Sequence, residues 1–373
     1  MRICFNALCA ENRSGTGRYA TQLLSALARI DAVNEYIVCV HADSPLRARL
    51  AHAANFSVEP VVRGGILQRH LFERRNLADW IRSKGPDVFH GPAFIVPRGC
   101  PVPSVATIHD LVFRIFPETT PLTRRGHYRR DIPRSIREAG ILLADSHSTA
   151  MDVQGYFSVP GDRVRVAHLG VEPVYFEKPS EEVRGRVRER YGLPERFILT
   201  VGTLEPRKNV PGLLRAYALF VQGQSDVPAL ALTGRAGWGV RGLRRAVRKL
   251  GLEGRVFFPG FVAEADLSVA YHLAEAFVSA SIYEGFGLPV LEAMAAGLPV
   301  VAGNNSSIPE IVGDGGWLVD VACPESLAEG MAIALTASPE RERRRECAGE
   351  RARGFTWEET ARRTVAVYER VGR

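Results

Sequence analysis

An α/β protein built on two doubly wound parallel sheets is the fold class this sequence predicts. Short apolar runs alternate with longer helical patterns along the whole chain, as parallel α/β layers require. The alternation restarts near residue 197, after a stretch rich in proline and charge. The 373 residues are too many for one ordinary core and suit two domains. In the first half, Arg2–Asn6, Tyr36–Val40, Asp87–His90, Ser104–Ile108, Gly140–Ala144 and Arg163–His168 read as strands, and Tyr19–Ile30 has helical period. Val171–Arg190, with Pro173 and Pro179, reads as the interdomain connection. The second half brings Phe197–Val201, Leu230–Thr233, Arg255–Phe258, Ala276–Ser279, Pro299–Ala302 and Trp317–Val319 as strands. Thr356–Val371 reads as a last helix, with a Thr-x-x-Glu capping box at Thr356 and Glu359. The expected domains are residues 1–175 and 176–355, followed by a terminal helix, 356–373.

Composition narrows the class. Hydrophobic content of 46% and charge of 24% are those of a soluble globular protein. No apolar run approaches the ~20 residues of a membrane span, and MRICFNALCA reads as a first strand rather than a secretory signal. The six cysteines, Cys4, Cys9, Cys39, Cys100, Cys323 and Cys347, have no metal spacing; reduced thiols in the cytoplasm are expected. The net charge of +7 is clustered. Leu122–Arg137 holds six arginines and one acid, Asp131, with Tyr128 among them. A second cluster is Arg69, Arg74, Arg75, Arg82 and Lys84, and a third is Arg241, Arg244, Arg245, Arg248 and Lys249. Such clusters suit nucleic acid, an anionic membrane surface or a phosphorylated substrate. The third reads as a solvated helix face, and the first two as a peripheral contact with an anionic membrane, at the inner face of the plasma membrane.

The most informative stretch is Tyr283–Val301, YEGFGLPVLEAMAAGLPVV. Gly285, Gly287 and Pro289 disfavour helix before about Val290; Val290–Ala296 reads as a short helix, ended by Gly297, and Pro299 opens a buried strand. Glu284 then lies on a loop entering a helix N-terminus, where backbone N–H groups suit a phosphate. Glu292 lies about one helical turn deeper and can point along the same cleft. Arg207 and Lys208 follow the strand Phe197–Val201 in VGTLEPRKN, a carboxyl-end loop where a guanidinium fork and an ammonium suit a diphosphate. His109 ends the strand Ser104–Ile108; its neighbour Asp110 either orients the imidazole or caps the next segment. Gly15, Thr16 and Gly17 precede the helix near Tyr19 and allow close approach of backbone to a ligand.

The Glu-x7-Glu spacing around Gly-Phe-Gly-Leu-Pro resembles the donor-binding signature of family 4 glycosyltransferases, retaining enzymes of the GT-B fold. Six further blocks resemble the family in order: GTGRYATQLL, TIHDLVFRIFPE, VAHLGVEP, VGTLEPRKN, LALTGRAGWG and FTWEETARRTVAVYERV. Within it they look most like mannosyltransferases of bacterial surface-polysaccharide assembly. The resemblance implies two Rossmann-like domains facing a central cleft, an acceptor-side domain and a nucleotide-sugar donor domain, with the last helix crossing back to the first.

It also implies roles. Arg207 and Lys208 contact the donor phosphates, Glu284 the sugar and Glu292 the ribose; His109 hydrogen-bonds a hydroxyl of the transferred sugar. Gly15, Thr16 and Gly17 face the diphosphate. Gly234, Arg235, Phe261 and Val262 approach the nucleotide, with the turn Gly285, Phe286, Gly287 and Leu288. The expected co-substrate is a nucleotide-sugar, GDP-mannose first, with UDP- or dTDP-sugars as alternatives. The acceptor is a glycan or polyprenyl-diphosphate-linked oligosaccharide; no nucleic acid is a partner. No Asp-x-Asp metal motif stands in a convincing context, so cations and N–H dipoles are expected to replace a metal. A sugar-nucleotide 2-epimerase on the same architecture is the alternative activity.

Overall fold

The structure is a computed structural model. It describes residues 1–12, 15–120, 125–224, 226–237 and 242–372, with backbone only for 125–128. Two compact units divide the chain: Met1–Ile115 with Leu122–Gly170 and Thr356–Arg373, and Phe116–Pro121 with Val171–Phe355.

The first unit holds β1 (Arg2–Asn6), β2 (Glu35–His41), β3 (Phe56–Val62), β4 (Val88–Gly91), β5 (Ser104–Ile108), β6 (Ile141–Ala144) and β7 (Val164–Val166). They form one sheet in the order β3-β2-β1-β4-β5-β6-β7, every pair parallel. The order reverses between β1 and β4. A crevice opens at such a switch point, outside the strands' carboxyl ends. β3 is the strand the sequence reading misses. Its run FSVEPVV carries Glu59 and Pro60 and is exposed on both faces, which only an edge strand tolerates. On one side of the sheet, Ile132, Ile136 and Val153 pack on Ala106, Ile108 and Leu142.

The helix Trp357–Val371 belongs to this unit. Thr356 caps it by accepting from the Glu359 N–H, but Glu359's carboxylate pairs with Arg362 and Arg363. Its Glu358 meets Arg29, at the end of the helix Gly15–Ile30, at 2.6 Å. Its buried Tyr368 hydroxyl lies 2.6 Å from His90 Nδ1, and Thr360 donates to the His168 carbonyl at 2.6 Å.

The second unit holds β8 (Phe197–Val201), β9 (Ala229–Thr233), β10 (Val256–Gly260), β11 (Ala276–Ser279), β12 (Val300–Gly303) and β13 (Trp317–Val319). The order β10-β9-β8-β11-β12-β13 is again all parallel, with its switch point between β8 and β11. Ile198, Leu213, Tyr217, Leu230, Val278 and Val301 lie in its core. The charged stretch expected to be a linker is partly helical: Glu181–Tyr191 forms a helix capped by Ser180, with Glu181 and Glu182 in its first turn, where negative charge favours the helix dipole.

The second basic cluster is largely paired. Arg69 meets Glu73, Arg74 meets Asp131, Arg82 meets Asp79 and Lys84 meets Glu59. Residues 122–124 and Arg241 lie outside the described residues, and so do the side chains of Arg125 and Tyr128. Among the described residues, no helix is long and apolar enough to cross a membrane.

Candidate active site

At the switch point of the second sheet, the loops leaving β8 and β11 bring opposite charges together. The Arg207 Nη1 donates to Glu284 Oε2 at 2.7 Å and to the Tyr283 carbonyl at 3.2 Å. Lys208 Nζ donates to Glu284 Oε1 at 2.5 Å. Arg207 Nε donates to Glu205, a residue the sequence reading passed over. The lysine stem reaches this point by crossing Gly202: a Cβ there would lie 3.1 Å from Lys208 Cε, and the glycine's φ of +142° disfavours other residues. Burial alone would raise the Glu284 pKa, but Arg207 and Lys208 outweigh it and hold the carboxyl down at about 2. Burial pushes the Lys208 ammonium down against the pull of Glu284. The carboxylate is therefore ionised, with each oxygen already accepting from a cation.

The glycine-rich turn after Glu284 is pinned from β12's carboxyl end. The Glu284 N–H donates to Ser306 Oγ at 2.9 Å, while Ser307 Oγ serves the carbonyls of Glu284 and Phe286. These serines stand in GNNSSIPE, and their signal was available: a polar run directly after a buried strand. The following helix spans Leu288–Ala295, two residues earlier than expected. Gly287 caps it at φ +105°, and Pro289 fits the first turn, where a missing N–H costs nothing. That helix end offers fewer donors than the sequence implies. Pro289 has none, and the Val290 N–H returns to the Gly287 carbonyl at 2.9 Å. Gly285, Phe286 and Leu288 are buried, Phe286 lying edge-on to Phe355. Glu292 is 1% exposed and accepts from the Tyr271 hydroxyl at 2.7 Å, a partner on the preceding helix Glu264–Leu273.

The loops after β9 and β10 meet as well. Gly234 runs so close to β8's exit that a Cβ would lie 1.9 Å from the Gly202 carbonyl oxygen. The exposed Arg235 guanidinium lies 4.8 Å from the ring centroid of Phe261, itself 43% exposed, and Val262 is buried. A half-exposed aromatic face with a cation above it can stack a flat ring.

In the first unit, Gly15, Thr16 and Gly17 form the opening turn of the helix Gly15–Ile30 rather than a loop before it. Gly17 is required there, since a Cβ would lie 1.9 Å from the Asn12 carbonyl oxygen. His109 follows β5 and is buried. Its Nδ1 lies 2.7 Å from Asp145 Oδ2 and its Nε2 lies 2.7 Å from the Pro92 carbonyl. A carbonyl only accepts, so Nε2 carries a proton; a carboxylate partner calls for a second on Nδ1. Burial disfavours the charge, but Asp145 outweighs it and raises the imidazole pKa. The orienting residue is Asp145, 36 positions away; Asp110 instead accepts from the Val112 N–H at 3.2 Å, capping the next segment. Nearby His90 is the opposite case: burial pushes it down to about 3, and it bridges Tyr368 and Thr107 as a neutral ring.

Two doubly wound parallel sheets, one with a caged Arg-Lys-Glu cluster at its switch point, define the GT-B class of glycosyltransferase. The model of glycosyl transferases group 1 matches residues 184–351, and that of glycosyltransferase family 4 matches residues 13–175. The chain is 32% identical over 300 residues to O-antigen chain mannosyltransferase B of Escherichia coli, covering 80% of this chain and 78% of that one. It is 33% identical over 179 residues to the serotype-specific mannosyltransferase WbdA of Escherichia coli, covering 47% of this chain but only 22% of WbdA. Anabaena Alr3699/HepE, solved in complex with UDP-glucose, shares the fold with a TM-score of 0.76 at 20% identity, over 99% of this chain and 100% of that one. The chain belongs to the family 4 glycosyltransferases and is a hexosyltransferase.

Proposed function

We propose that the enzyme moves a mannosyl group from GDP-mannose, with retention at the anomeric carbon, to a hydroxyl of a glycan or polyprenyl-diphosphate-linked oligosaccharide on the cytoplasmic side of the membrane. The observation that carries the sugar and the pathway is the match to the O-antigen chain mannosyltransferase along most of both chains. The chemistry rests on the charge cluster. As the glycosidic bond breaks, negative charge grows on the β-phosphate, and preorganised cations stabilise it. Arg207 and Lys208 take that role. An ammonium has three donors and Glu284 engages one, so Lys208 can hold phosphate and carboxylate together.

Glu284 makes a poor nucleophile: both its oxygens accept from cations, and its low basicity weakens attack on carbon. That favours same-face attack, in which the acceptor oxygen bonds to the anomeric carbon as the leaving phosphate departs and takes the acceptor proton. Glu284 then binds a sugar hydroxyl, and Glu292 the ribose. Gly234, Arg235, Phe261, Val262 and the turn from Gly285 to Leu288 surround the nucleotide, and Gly15, Thr16 and Gly17 serve the diphosphate. A sugar hydroxyl would reach His109 by replacing the Pro92 carbonyl at Nε2. The second unit is thus the donor domain and the first the acceptor domain.

A donor screen by thermal shift tests the nucleotide: GDP-mannose at ~100 times its dissociation constant should stabilise by ~2.7 kcal/mol. A larger shift with UDP-glucose or dTDP-rhamnose would reject it. Radiolabelled donor with a lipid extract tests the reaction, since transfer to lipid and an epimerised donor are separable products. Because Arg207 and Lys208 neutralise the leaving group, turnover should persist in excess EDTA; loss restored by Mg²⁺ or Mn²⁺ would refute this part of the scheme.

A further inference from the structure

A cavity of about 310 Å³ opens in the first unit, lined from the helices Ile66–Arg75 and Arg125–Glu138 and the segment after β4. Arg74, Arg98, Arg130 and Arg134 line it, with Glu73 and Asp131. Most of these charges are already matched. Glu73 is buried and held below the usual carboxyl range: burial opposes this, but His70 and Arg69 outweigh it, Arg69 Nε lying 3.1 Å away. Arg74 meets Asp131 at 2.6 Å. Arg134 pairs with Glu138 and gives Nη2 to the Val96 carbonyl at 2.7 Å. Arg98 and Arg130 are exposed on the rim and have no carboxylate partner among the described residues. Two guanidiniums at one concave wall, with no carboxylate partner among the described residues, form an anion site, and their planar forks match phosphate oxygens.

The same helix carries an unusual outer surface. Ile66, Leu67 and Leu71 are 69%, 75% and 41% exposed. Positions three and four apart are neighbours on a helix, so Leu71 flanks Arg74 and Leu67 lies one turn before Leu71. An aliphatic strip beside a cationic pocket is complementary to a ligand with an anionic head and a hydrocarbon tail. A free sugar or a soluble phosphate uses only one of the two.

We propose that this pocket seats the phosphate or diphosphate ester of a lipid-linked acceptor, the head on Arg98 and Arg130 and the first part of the chain on Leu67 and Leu71. The inference deepens the reading of the enzyme as a transferase acting on a lipid-linked glycan. Calorimetric titration of the full chain with farnesyl diphosphate and with inorganic pyrophosphate tests it. In wild type, farnesyl diphosphate should bind more tightly than pyrophosphate. Arg98→Ala with Arg130→Ala should weaken farnesyl diphosphate tenfold or more and leave GDP binding within twofold. Leu67→Ser with Leu71→Ser should bring farnesyl diphosphate down to the affinity of pyrophosphate. Equal affinity for the two probes in wild type would overturn the lipid assignment. Binding untouched by the Arg98/Arg130 variant, but lost in Arg207→Ala with Lys208→Ala, would place the anion in the donor cluster and overturn the pocket. A protein that binds farnesyl diphosphate as described but transfers no mannose would refute the donor reading and leave this site standing.

Discussion

Replacing Arg207 and Lys208 together by alanine should lower kcat/KM by about 10² to 10³ or more in a protein that stays folded. In the proposed mechanism each cation meets charge that develops only as the diphosphate leaves, and a single such donor is worth a few kcal/mol of transition-state stabilisation. Folding survives because the consequence for Glu284 is self-limiting. Its carboxyl sits at about 2 only while the two cations face it, and burial alone pushes it up. Without them it takes a proton rather than remaining a buried charge. The double variant should therefore respond to pH in the opposite sense: with the Glu284 carboxyl raised by burial, its stability should fall as pH rises above the ordinary value near 4.5. In wild type, the contribution of the Glu284 cluster is present above the carboxyl's ordinary value near 4.5 and is lost as pH falls towards 2. In the variant that contribution is gone. Steady-state kinetics with a melting curve on each variant decides it: near-normal turnover in the folded double variant would remove these residues from the mechanism. Glu205→Gln should give a milder loss, because it leaves the cations in place and loosens only the grip on Arg207 Nε.

Much of this architecture could be read from local pattern. Strands buried on both faces declare themselves as continuous apolar runs, and Arg2–Asn6, Ser104–Ile108, Phe197–Val201 and Ala276–Ser279 have the expected limits. The edge strand Phe56–Val62 lacks that signature because half its surface faces water. Arg207 and Lys208 stand out because they follow a strand, where the carboxyl-end rule looks for ligands, and Glu284 because it lies on a loop entering a helix N-terminus. Their mutual pairing does not, since it depends on strand order at the switch point between β8 and β11. The same is true of Tyr271 for Glu292 and Asp145 for His109, partners on other elements that no spacing announces. For His109 the sequence leaves Asp110 as orienter or cap, and the cap holds because adjacent side chains leave a strand end in different directions. Asp145 follows β6, which pairs with β5 and so stands level with His109.

That pairing sets up the second large effect, which falls on stability. Asp145→Ala should cost about 3 kcal/mol or more near pH 6, the usual penalty for leaving one member of a buried ion pair behind. The carboxylate has little else to hold it. Among the described residues, Asp145 Oδ1 is buried without a hydrogen-bond partner, and Oδ2 faces His109. The imidazole is equally dependent, since among the described residues its Nδ1 proton has only Asp145 as acceptor. The penalty should shrink with pH in a definite direction. His109 has its pKa raised above 6.5 in the folded protein, burial opposing and Asp145 prevailing. The stability this adds is fully present below the unfolded value near 6.5 and is lost as pH rises through the folded value. Urea unfolding of wild type and Asp145→Ala at pH 6 and pH 9 should give a clearly smaller difference at the higher pH. Asp145→Asn, which keeps an acceptor but no charge, should fall between them at pH 6 and approach wild type at pH 9. A difference that is the same at both pH values would show that His109 is neutral and that Asp145 serves only as a hydrogen-bond acceptor.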